Sequence, residues 1–523
     1  MKIFTDFIIL FTMKQNIFKS FLSVFCFLSL LFILGCNNEW NEHYNADSFN
    51  LPNQKLTELI KDKSDLSIFY SMLVKTGYDK ILSASQSYTI WAPVNQALIN
   101  IDTSNLDIVK RIVENHIARS RITTSGIVMK TIRMINDKYI IFAKTDSEYT
   151  FGNNKIIEAN LPANNGLIHI INGYVPYVYN IWEYIANTKG LDSLKSYLFS
   201  QNKYIFDPKN SIEIGVDSNG YVIYDSALIL TNVVLDKIGS IDDEDSVFTA
   251  ILPDNTAWIE AYERIQKYFK FPENAGGIKR QRDLSQFTIV KDLFFHNRIK
   301  LQDIKDSIVS TTGTTFYNPD YIFKGESVSL SNGLAYVTNT FPYQDTVSWF
   351  KKITVEAENS EGRKSSACNV YTRTSYGTQF KTSNNKYILV DPTSIQPSVE
   401  FSVPNILSAK YNIYCVFVPA MIVDSSNLTP TKVKFKLTYI RRSNGSTFVT
   451  YFTPQNNVTD SLGITKMFVG KFSFEYANLI DQEYNNVSVK LEVINIVTTA
   501  EEQAHTFTRT MRIDCVIFEP VLN

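Results

Sequence analysis

An internal repeat constrains the fold of this 523-residue chain more than any other feature of its sequence. Residues 89–98 read TIWAPVNQAL and residues 249–258 read TAILPDNTAW, so a threonine, a proline, an asparagine and an alanine recur at equal spacing. A second pair follows in the same order, with NGLIHIINGYVPY at residues 165–177 and NGLAYVTNTFPY at residues 332–343. Self-similarity of this kind indicates a repeated structural unit. The sequence therefore predicts two related domains.

Between the paired motifs, each copy carries an apolar, helix-periodic stretch that ends in a histidine. The stretches are LDIVKRIVENHI at residues 106–117 and FTIVKDLFFHNRI at residues 287–299, so we align His116 with His296. The second copy is longer by about 20 residues on this alignment. We place the extra residues within 260–283, where a proline and two glycines favour a loop.

The order of these motifs resembles the fasciclin domain, with the Thr-to-Ala segment as its early block, the histidine in its middle block and the Asn-Gly-Leu segment as its late block. The resemblance covers residues 53–185 and residues 186–349. In the second copy Tyr336 stands where the first has His169, so this copy is diverged. The resemblance implies an extracellular binding or adhesion unit in which the middle-block histidine belongs to the scaffold.

Local patterns agree with an α+β unit. Residues 88–91 and 167–171 are β-branched and aromatic runs suited to strands, and helices are expected over residues 56–76 and 106–118. The prolines of the first motif end their strand because proline lacks a backbone donor, its asparagine can cap the next helix, and each Asn-Gly pair signals a hairpin turn. The structural positions predicted in this way, the two histidines included, are Pro93, Asn95, His116, Asn165, Gly166, Pro253, Asn255, His296, Asn332 and Gly333.

The last third, residues 350–523, changes to short alternating strand patterns separated by Ser, Asn, Thr and Pro clusters, which favours an all-β sandwich. Its first strand (VEAEN, residues 355–359) and its last (RIDCVIF, residues 512–518) resemble those of jelly-roll carbohydrate-binding modules. Aromatic side chains on such a domain either stack on sugars or pack in the core, and packing is the more common use. The fold class is thus α+β, with two fasciclin-like domains followed by a jelly-roll-like sandwich.

The N-terminus has the layout of a secretory signal: Lys14 and Lys19 precede an apolar run over residues 21–34. Residues 33–36 (ILGC) resemble the lipobox of bacterial lipoproteins, which makes Cys36 the predicted lipid attachment site. We expect residues 1–35 to be the signal and residues 36–52 a tether, with Met13 as an alternative start. The remaining cysteines, Cys368, Cys415 and Cys515, are either buried thiols or one disulfide with a thiol left over.

The charge balance and the absence of known catalytic motifs argue against nucleic-acid binding and against several classes of enzyme. Lys plus Arg number 51 against 52 for Asp plus Glu, so the footprint of a nucleic-acid binder is missing and no nucleic-acid partner is expected. Nucleophile-elbow, phosphate-loop, zinc and dinucleotide motifs are absent, so we predict no enzyme activity, no cofactor and no metal. Two carboxylates placed by the fold would suffice for a glycosidase, which stays as an alternative.

The sequence therefore predicts a lipid-anchored outer-membrane protein that faces the cell exterior and acts by binding or adhesion. Its tether sequence and domain order resemble Bacteroidetes lipoproteins that accompany outer-membrane transporters, which implies capture of a glycan or peptide with such a transporter as partner. The alternative is cell–cell or matrix adhesion through an extracellular protein ligand.

Overall fold

A computed structural model describes residues 53–83, 86–304, 306–324 and 327–522. The predicted signal, the tether and Cys36 lie outside these residues. The chain divides into two compact units between Tyr177 and Val178. Among the described residues, none of the helices combines the length and the apolar character needed to cross a membrane.

The first unit is built on a seven-stranded sheet in the order β2-β1-β7-β6-β5-β4-β3. Its strands are β1 Tyr88–Pro93, β2 Ile117–Ala118, β3 Met129–Arg133, β4 Tyr139–Thr145, β5 Glu148–Phe151, β6 Asn154–Ala163 and β7 Gly166–Ile171. Its helices are α1 Leu56–Lys61, α2 Ser67–Thr76, α3 Tyr78–Ile81, α4 Asn95–Leu98 and α5 Leu106–Glu114, with a 3-10 turn at Ser64–Leu66. The two motifs of the repeat form β1 and β7, which pair in parallel with Thr89 opposite Leu167.

Two predicted helices of this unit are shorter than expected. The helix predicted over residues 56–76 is interrupted by the 3-10 turn at Ser64–Leu66. The helix predicted over residues 106–118 ends at Glu114, because Ile117 and Ala118 pair with β1 as the edge strand β2. Strand pairing overrides the helical periodicity there.

Apolar side chains are buried on both faces of the first sheet. On one face the helices cover β1 and β7, and Phe69, Ile90 and Ile168 are fully buried. On the other face Trp91 stacks on Phe151 with ring centroids 4.2 Å apart. A fully buried side chain of this kind contributes about 2–3 kcal/mol by removal of apolar surface from water.

The second unit begins with a smaller version of the same arrangement. Its helices are α6 Ile181–Asn187, α7 Asp192–Ser200, α8 Leu235–Ile238, α9 Asn255–Ile265, α10 Gly277–Val290 and α11 Asp345–Ser348. Its strands up to residue 338 are β8 Asn202–Phe206, β9 Ile212–Val216, β10 Val222–Asp225, β11 Leu228–Asn232, β12 Phe248–Pro253, β13 Phe294–His296, β14 Ser307–Val309, β15 Thr315–Tyr317, β16 Ser327–Leu330 and β17 Gly333–Thr338. A four-stranded sheet has the order β13-β12-β17-β16, with β12 and β17 parallel. Phe248 faces Gly333 as Tyr88 faces Gly166, so both copies of the repeat share one strand pairing.

The division between the units lies eight residues before the boundary predicted at 185/186. The helix α6 belongs to the second unit, because Ile181 and Ile185 are fully buried in its core. The Ile181 N–H also donates to the Asn332 side chain of that unit. The other predicted domain limits stay predictions.

The last third forms two sheets. Its strands are β18 Ile353–Glu356, β19 Arg363–Ser366, β20 Cys368–Thr374, β21 Lys386–Pro392, β22 Ser398–Ser402, β23 Lys410–Phe417, β24 Val433–Ile440, β25 Thr447–Phe452, β26 Thr465–Ser473, β27 Lys490–Asn495 and β28 Met511–Pro520, with one helix, α12 Thr499–Gln503. One sheet has the order β20-β21-β28-β23-β26 with β18 also paired to β28, and the other has the order β19-β22-β27-β24-β25. Inward-facing side chains such as Ile413, Phe435 and Val493 share one buried cluster, so the expected sandwich is present.

The segment predicted as an inserted loop, residues 260–283, is mostly helical and joins the two halves of the second unit. Helix α9 continues to Ile265 and α10 begins at Gly277. Between them, backbone hydrogen bonds reach the sandwich: Ser408 N–H donates to Tyr268 O over 2.8 Å, and Ala477 N–H donates to Lys270 O over 2.7 Å. A single cluster of buried apolar residues has members from Ile181 to Phe518, so the two halves share one core.

Candidate functional site

The asparagine of each late motif ties the first helix of its copy to the central strands. Asn165 accepts a hydrogen bond from Leu56 N–H through Oδ1 (2.9 Å) and donates to Leu82 O (2.5 Å). Asn332 accepts from Ile181 N–H (2.9 Å) and donates to Ile241 O (2.8 Å). Both side chains thus bond to backbone groups through oxygen and nitrogen, which is a structural role.

Gly166 and Gly333 follow these asparagines and open strands β7 and β17. The predicted turns included these glycines, but the observed turns lie one residue earlier, at residues 164–165 and 331–332. A Cβ at Gly166 would lie 2.1 Å from Tyr88 O, and one at Gly333 would lie 1.9 Å from Phe248 O. Glycine is required at both positions by this close backbone approach.

Asn95 and Asn255 differ from their predicted role. Asn95 is the first residue of α4, but its Oδ1 accepts from Ile68 N–H in α2 over 2.9 Å. Asn255 does the same for α7, where it accepts from Ser193 N–H over 2.9 Å. Each side chain caps a preceding helix instead of its own, which local sequence patterns do not reveal. Pro93 and Pro253 are the last residues of β1 and β12.

A threonine that was only part of the repeat alignment completes this frame. Thr89 donates to Ser120 O (2.6 Å) and accepts from Ile122 N–H (2.8 Å) through the same hydroxyl. Thr249 makes the matching pair of bonds in the second copy, to Asn297 O (2.7 Å) and from Ile299 N–H (2.8 Å). The recurrence of this threonine at the start of both motifs could have predicted its structural role.

The alignment of His116 with His296 is wrong by three residues. Thr89 pairs with Ala118 and Thr249 pairs with Phe295, so the position that matches His116 is Leu293. His296 is exposed and does not occupy the position that corresponds to His116. The length of the insertion was not known from the sequence, so a histidine three residues away was aligned with His116.

His116 is fully buried and follows the end of α5. Its Nδ1 lies 2.6 Å from Ile112 O and its Nε2 accepts from Val175 N–H over 3.0 Å, which fixes the neutral Nδ1–H tautomer. Burial lowers the pKa of His116 to about 4, although the bond to Ile112 O acts in the opposite direction. A neutral ring with both nitrogens used by the backbone has no free atom for ligand binding or proton transfer.

A second buried histidine, His169, contacts the same loop position as its replacement in the second copy. His169 Nε2 lies 2.9 Å from Ile122 O, and Tyr336 OH donates to Ile299 O over 3.3 Å. The tyrosine therefore preserves the hydrogen bond that the histidine makes. Divergence of the late motif leaves this part of the frame intact.

A cluster of carboxylates that the sequence analysis missed lies in the sandwich. Oxygen atoms of Glu356 and Asp514 and the Cys515 sulfur all lie within 4.8 Å of one another. Ser383 holds the pair together, because its N–H donates to Asp514 (3.0 Å) and its hydroxyl donates to Glu356 (2.7 Å). Glu356 and Glu358 also line a pocket of about 590 Å³.

The electrostatics of this cluster favour a bound positive charge. Burial, together with the charges of Glu356 and Glu358, raises the pKa of Asp514 to about 7, although the hydrogen bond from the Ser383 N–H acts in the opposite direction. One oxygen of each glutamate, Oε2, is buried without a hydrogen-bond partner. Burial raises the pKa of the Cys515 thiol to about 12, so the available donors are oxygens, which suit a hard cation such as Ca²⁺.

The sequence offered a weak signal for this cluster. Glu356 and Glu358 alternate with Ala357, which places both on one face of an extended segment. Asp514 lies far away in sequence, and only the antiparallel pairing of β18 with β28 brings it close.

The three cysteines of the last third, Cys368, Cys415 and Cys515, are free thiols.

Among known families, the sequence matches the fasciclin domain over residues 64–175, about a fifth of the chain. Residues 64–175 are therefore similar to the fasciclin domain. The match contains β1, α5 and β7, and thus Thr89, His116 and Asn165. No curated protein matches the chain.

Several solved structures are similar to parts of the chain. The FAS1 domain pair of the insect cell adhesion molecule fasciclin I is 14% identical, covers 55% of this chain and 99% of its own, and has a TM-score of 0.21. A xylan-binding domain from CBM 22 is 12% identical, covers 33% of this chain and 94% of its own, and has a TM-score of 0.20. CsCBM6-3 from Clostridium stercorarium, in complex with cellobiose, is 8% identical over 32% of this chain and 93% of its own, with a TM-score of 0.15. These TM-scores are too low to carry an inference, so the fasciclin domain rests on the family match.

Proposed function

We propose that the chain is an exported surface protein that acts by binding or adhesion, without catalysis, and is held to the outer membrane by a lipid on Cys36. The fasciclin domain at residues 64–175 carries this proposal, since such domains suggest adhesion or binding. The signal layout and the lipobox-like residues 33–36 support export and anchoring.

The internal bonding of the repeat motifs supports a binding role over a catalytic one. Asn165, Thr89 and His116 direct their polar atoms to backbone groups of their own unit. Catalysis needs a base or nucleophile that can reach a substrate. These motif residues instead stabilise a scaffold, and recognition falls to the surfaces that the scaffold holds in place.

In the finer form of this proposal, the protein captures a glycan or peptide beside an outer-membrane transporter of a Bacteroidetes-type organism. The second candidate is adhesion to proteins of neighbouring cells or matrix, which the fasciclin domain favours equally. The two differ in the chemistry of the ligand: a soluble glycan or peptide in the first case and a folded protein surface in the second.

Anchoring and surface exposure are tested on intact cells that express the full chain. Antibody labelling and protease accessibility are compared between the wild type and a Cys36→Ala variant. We expect labelled, protease-sensitive protein in the wild type and loss of membrane retention in the variant. Protein that resists protease until the outer membrane is opened would refute the surface location, and equal retention of both chains would refute the lipid anchor.

Ligand class is tested with residues 37–523 as a soluble chain on glycan and peptide arrays, followed by pull-down with intact neighbouring cells. A specific array signal supports capture, whereas binding to cells alone supports adhesion. Release of reducing sugar from a bound glycan would show catalysis and refute the non-enzymatic part of the proposal.

A further inference from the structure

A β-ribbon projects from the second unit at a place where the first unit has a single residue. In the first unit only Gly77 separates α2 from α3. In the second unit the matching helices α7 and α8 are separated by four strands, in which β8 pairs with β11 and β9 pairs with β10. The ribbon is therefore an insertion that the common fold does not require.

Many large apolar side chains of this ribbon face solvent. Every residue of β9 is exposed, and in β8 only the first residue is partly covered. Twelve large apolar side chains of the ribbon are exposed: Tyr204, Ile205, Phe206, Ile212, Ile214, Val216, Tyr221, Val222, Ile223, Leu228, Ile229 and Leu230. An isolated two-stranded ribbon is marginally stable in water, and exposed apolar patches of this kind mark interaction sites.

The two faces of the base of the ribbon differ in charge. Residues directly opposite in an antiparallel pair share a face. Tyr204 lies opposite Leu230, and Phe206 lies opposite Leu228, so one face carries four apolar side chains and no charge. We call these four residues the ribbon face. The other face carries Ile205 and Ile229 together with Lys203 and Thr231.

The polar end of the ribbon argues against a lipid bilayer as the occupant. The turn between β9 and β10 contains Asp217 and Asn219, and Glu213 lies within β9. Insertion from the tip would desolvate these groups, which costs several kcal/mol for a charge. A protein surface that packs against the side of the ribbon covers the apolar side chains without this cost.

The available area fits a second copy of the same chain. The four side chains of the ribbon face are 42–70% exposed, so each copy offers roughly 400 Å², given roughly 150–250 Å² for a complete large side chain. Two copies would bury about 800 Å² together, which is the size of a weak, concentration-dependent interface. The uncharged ribbon face meets itself without like-charge repulsion, which a twofold interface requires.

We propose that this ribbon is a dimerisation arm, in which the ribbon face of one chain packs against the ribbon face of a second copy. The arrangement is isologous, so Leu230 of each copy contributes equally. The inference is independent of the ligand of the protein, because the fasciclin domain at residues 64–175 takes no part in it.

The test compares two matched variants at neighbouring positions of one strand, so that a general folding defect can be distinguished from loss of the dimer. Sedimentation velocity is run on residues 37–523, which contain every described residue, at 1–100 μM protein. Leu230→Lys introduces a charge on the ribbon face, and Ile229→Lys introduces the same charge on the other face at nearly equal exposure, 47% against 50%. We expect a concentration-dependent dimer for the wild type and for Ile229→Lys, and dimerisation weakened roughly 100-fold or more by Leu230→Lys.

A charge-reversal mixture identifies the partner as a second copy. Leu230→Lys and Leu230→Glu chains are each expected to be monomers, and an equimolar mixture is expected to dimerise. A wild-type monomer at 100 μM, or equal loss of dimer in the Ile229→Lys chain, would overturn the proposal. Binding of the wild type to a different protein through Leu230, without self-association, would also overturn it.

Discussion

Arg280 holds the inserted segment of the second unit against the sandwich, and its removal should weaken the whole unit. Only 8% of its side chain is exposed. The guanidinium donates to Leu479 O over 3.0 Å and to Asp481 Oδ2 over 2.7 Å. The rings of Phe271 and Tyr484 lie 4.4 Å and 4.3 Å from it, and so enclose it. Truncation to alanine removes all of these contacts at once.

The expected loss follows from these contacts. A hydrogen bond to a charged group contributes about 1.5 kcal/mol or more, and the ring contacts contribute about 1 kcal/mol. The desolvation of the buried guanidinium offsets part of this, and Asp481, at 45% exposure, regains water when its partner is lost. We expect Arg280→Ala to lower the free energy of unfolding by about 3 kcal/mol, or the Tm by about 4 °C for a unit of this size.

Differential scanning calorimetry of residues 37–523 measures this change, with Arg282→Ala as the matched control. Arg282 lies on the same helix with 57% of its side chain exposed, and it contacts only its neighbour Asp283. We expect Arg280→Ala to shift the transition of the second unit to lower temperature, and Arg282→Ala to leave it unchanged. Equal shifts for the two variants would refute the reasoning, as would additive effects of Arg280→Ala and Asp481→Asn.

Three further outcomes follow from the structure. Gly333→Ala places a methyl group 1.9 Å from Phe248 O and should cost about 3 kcal/mol in urea unfolding, whereas Gly463→Ala, which meets only a flexible side chain, should cost less than about 1 kcal/mol. The pKa of His116 lies at about 4 in the folded state against 6.5 unfolded, so the unfolded state binds the proton first; stability of the first unit should fall by about 3 kcal/mol as pH drops from 6.5 to 4, and His116→Gln should flatten this profile. The pKa of Asp514 is raised to about 7 against 3.8 unfolded, so stability of the second unit should fall as pH rises through that interval, by about 4 kcal/mol in buffer containing EDTA, and Asp514→Asn should abolish the fall.

The repeat and the strand patterns predicted much of the fold. The alternating strand patterns of the last third coincide with observed strands such as β23 and β24, because alternation of apolar and polar residues matches a sheet with one buried face. Strands β19 and β20 lack this pattern because they are polar and largely exposed. Their place depends on pairing with a neighbour, which local pattern does not encode.

The candidate sites were harder to predict than the fold. His116 and His296 looked equivalent because each followed an apolar stretch, and only the strand register separated them. Asp514 and Glu356 lie on strands distant in sequence, so their approach depends on tertiary pairing. The role of Pro93 at the end of β1 was predictable, because it depends only on neighbouring residues in the sequence.

The long-range asparagine bonds also bear on how such a chain completes its folding during synthesis. Asn165 bonds to Leu56, 109 residues earlier, and Asn332 bonds to Ile181, 151 residues earlier. A chain that emerges from its N-terminus onward cannot close either bond until the late hairpin has appeared, and contacts of such separation form slowly. The first helix of each copy must therefore wait without its native partner while most of that copy is being made, a period in which its apolar face is open to chaperones and to proteases.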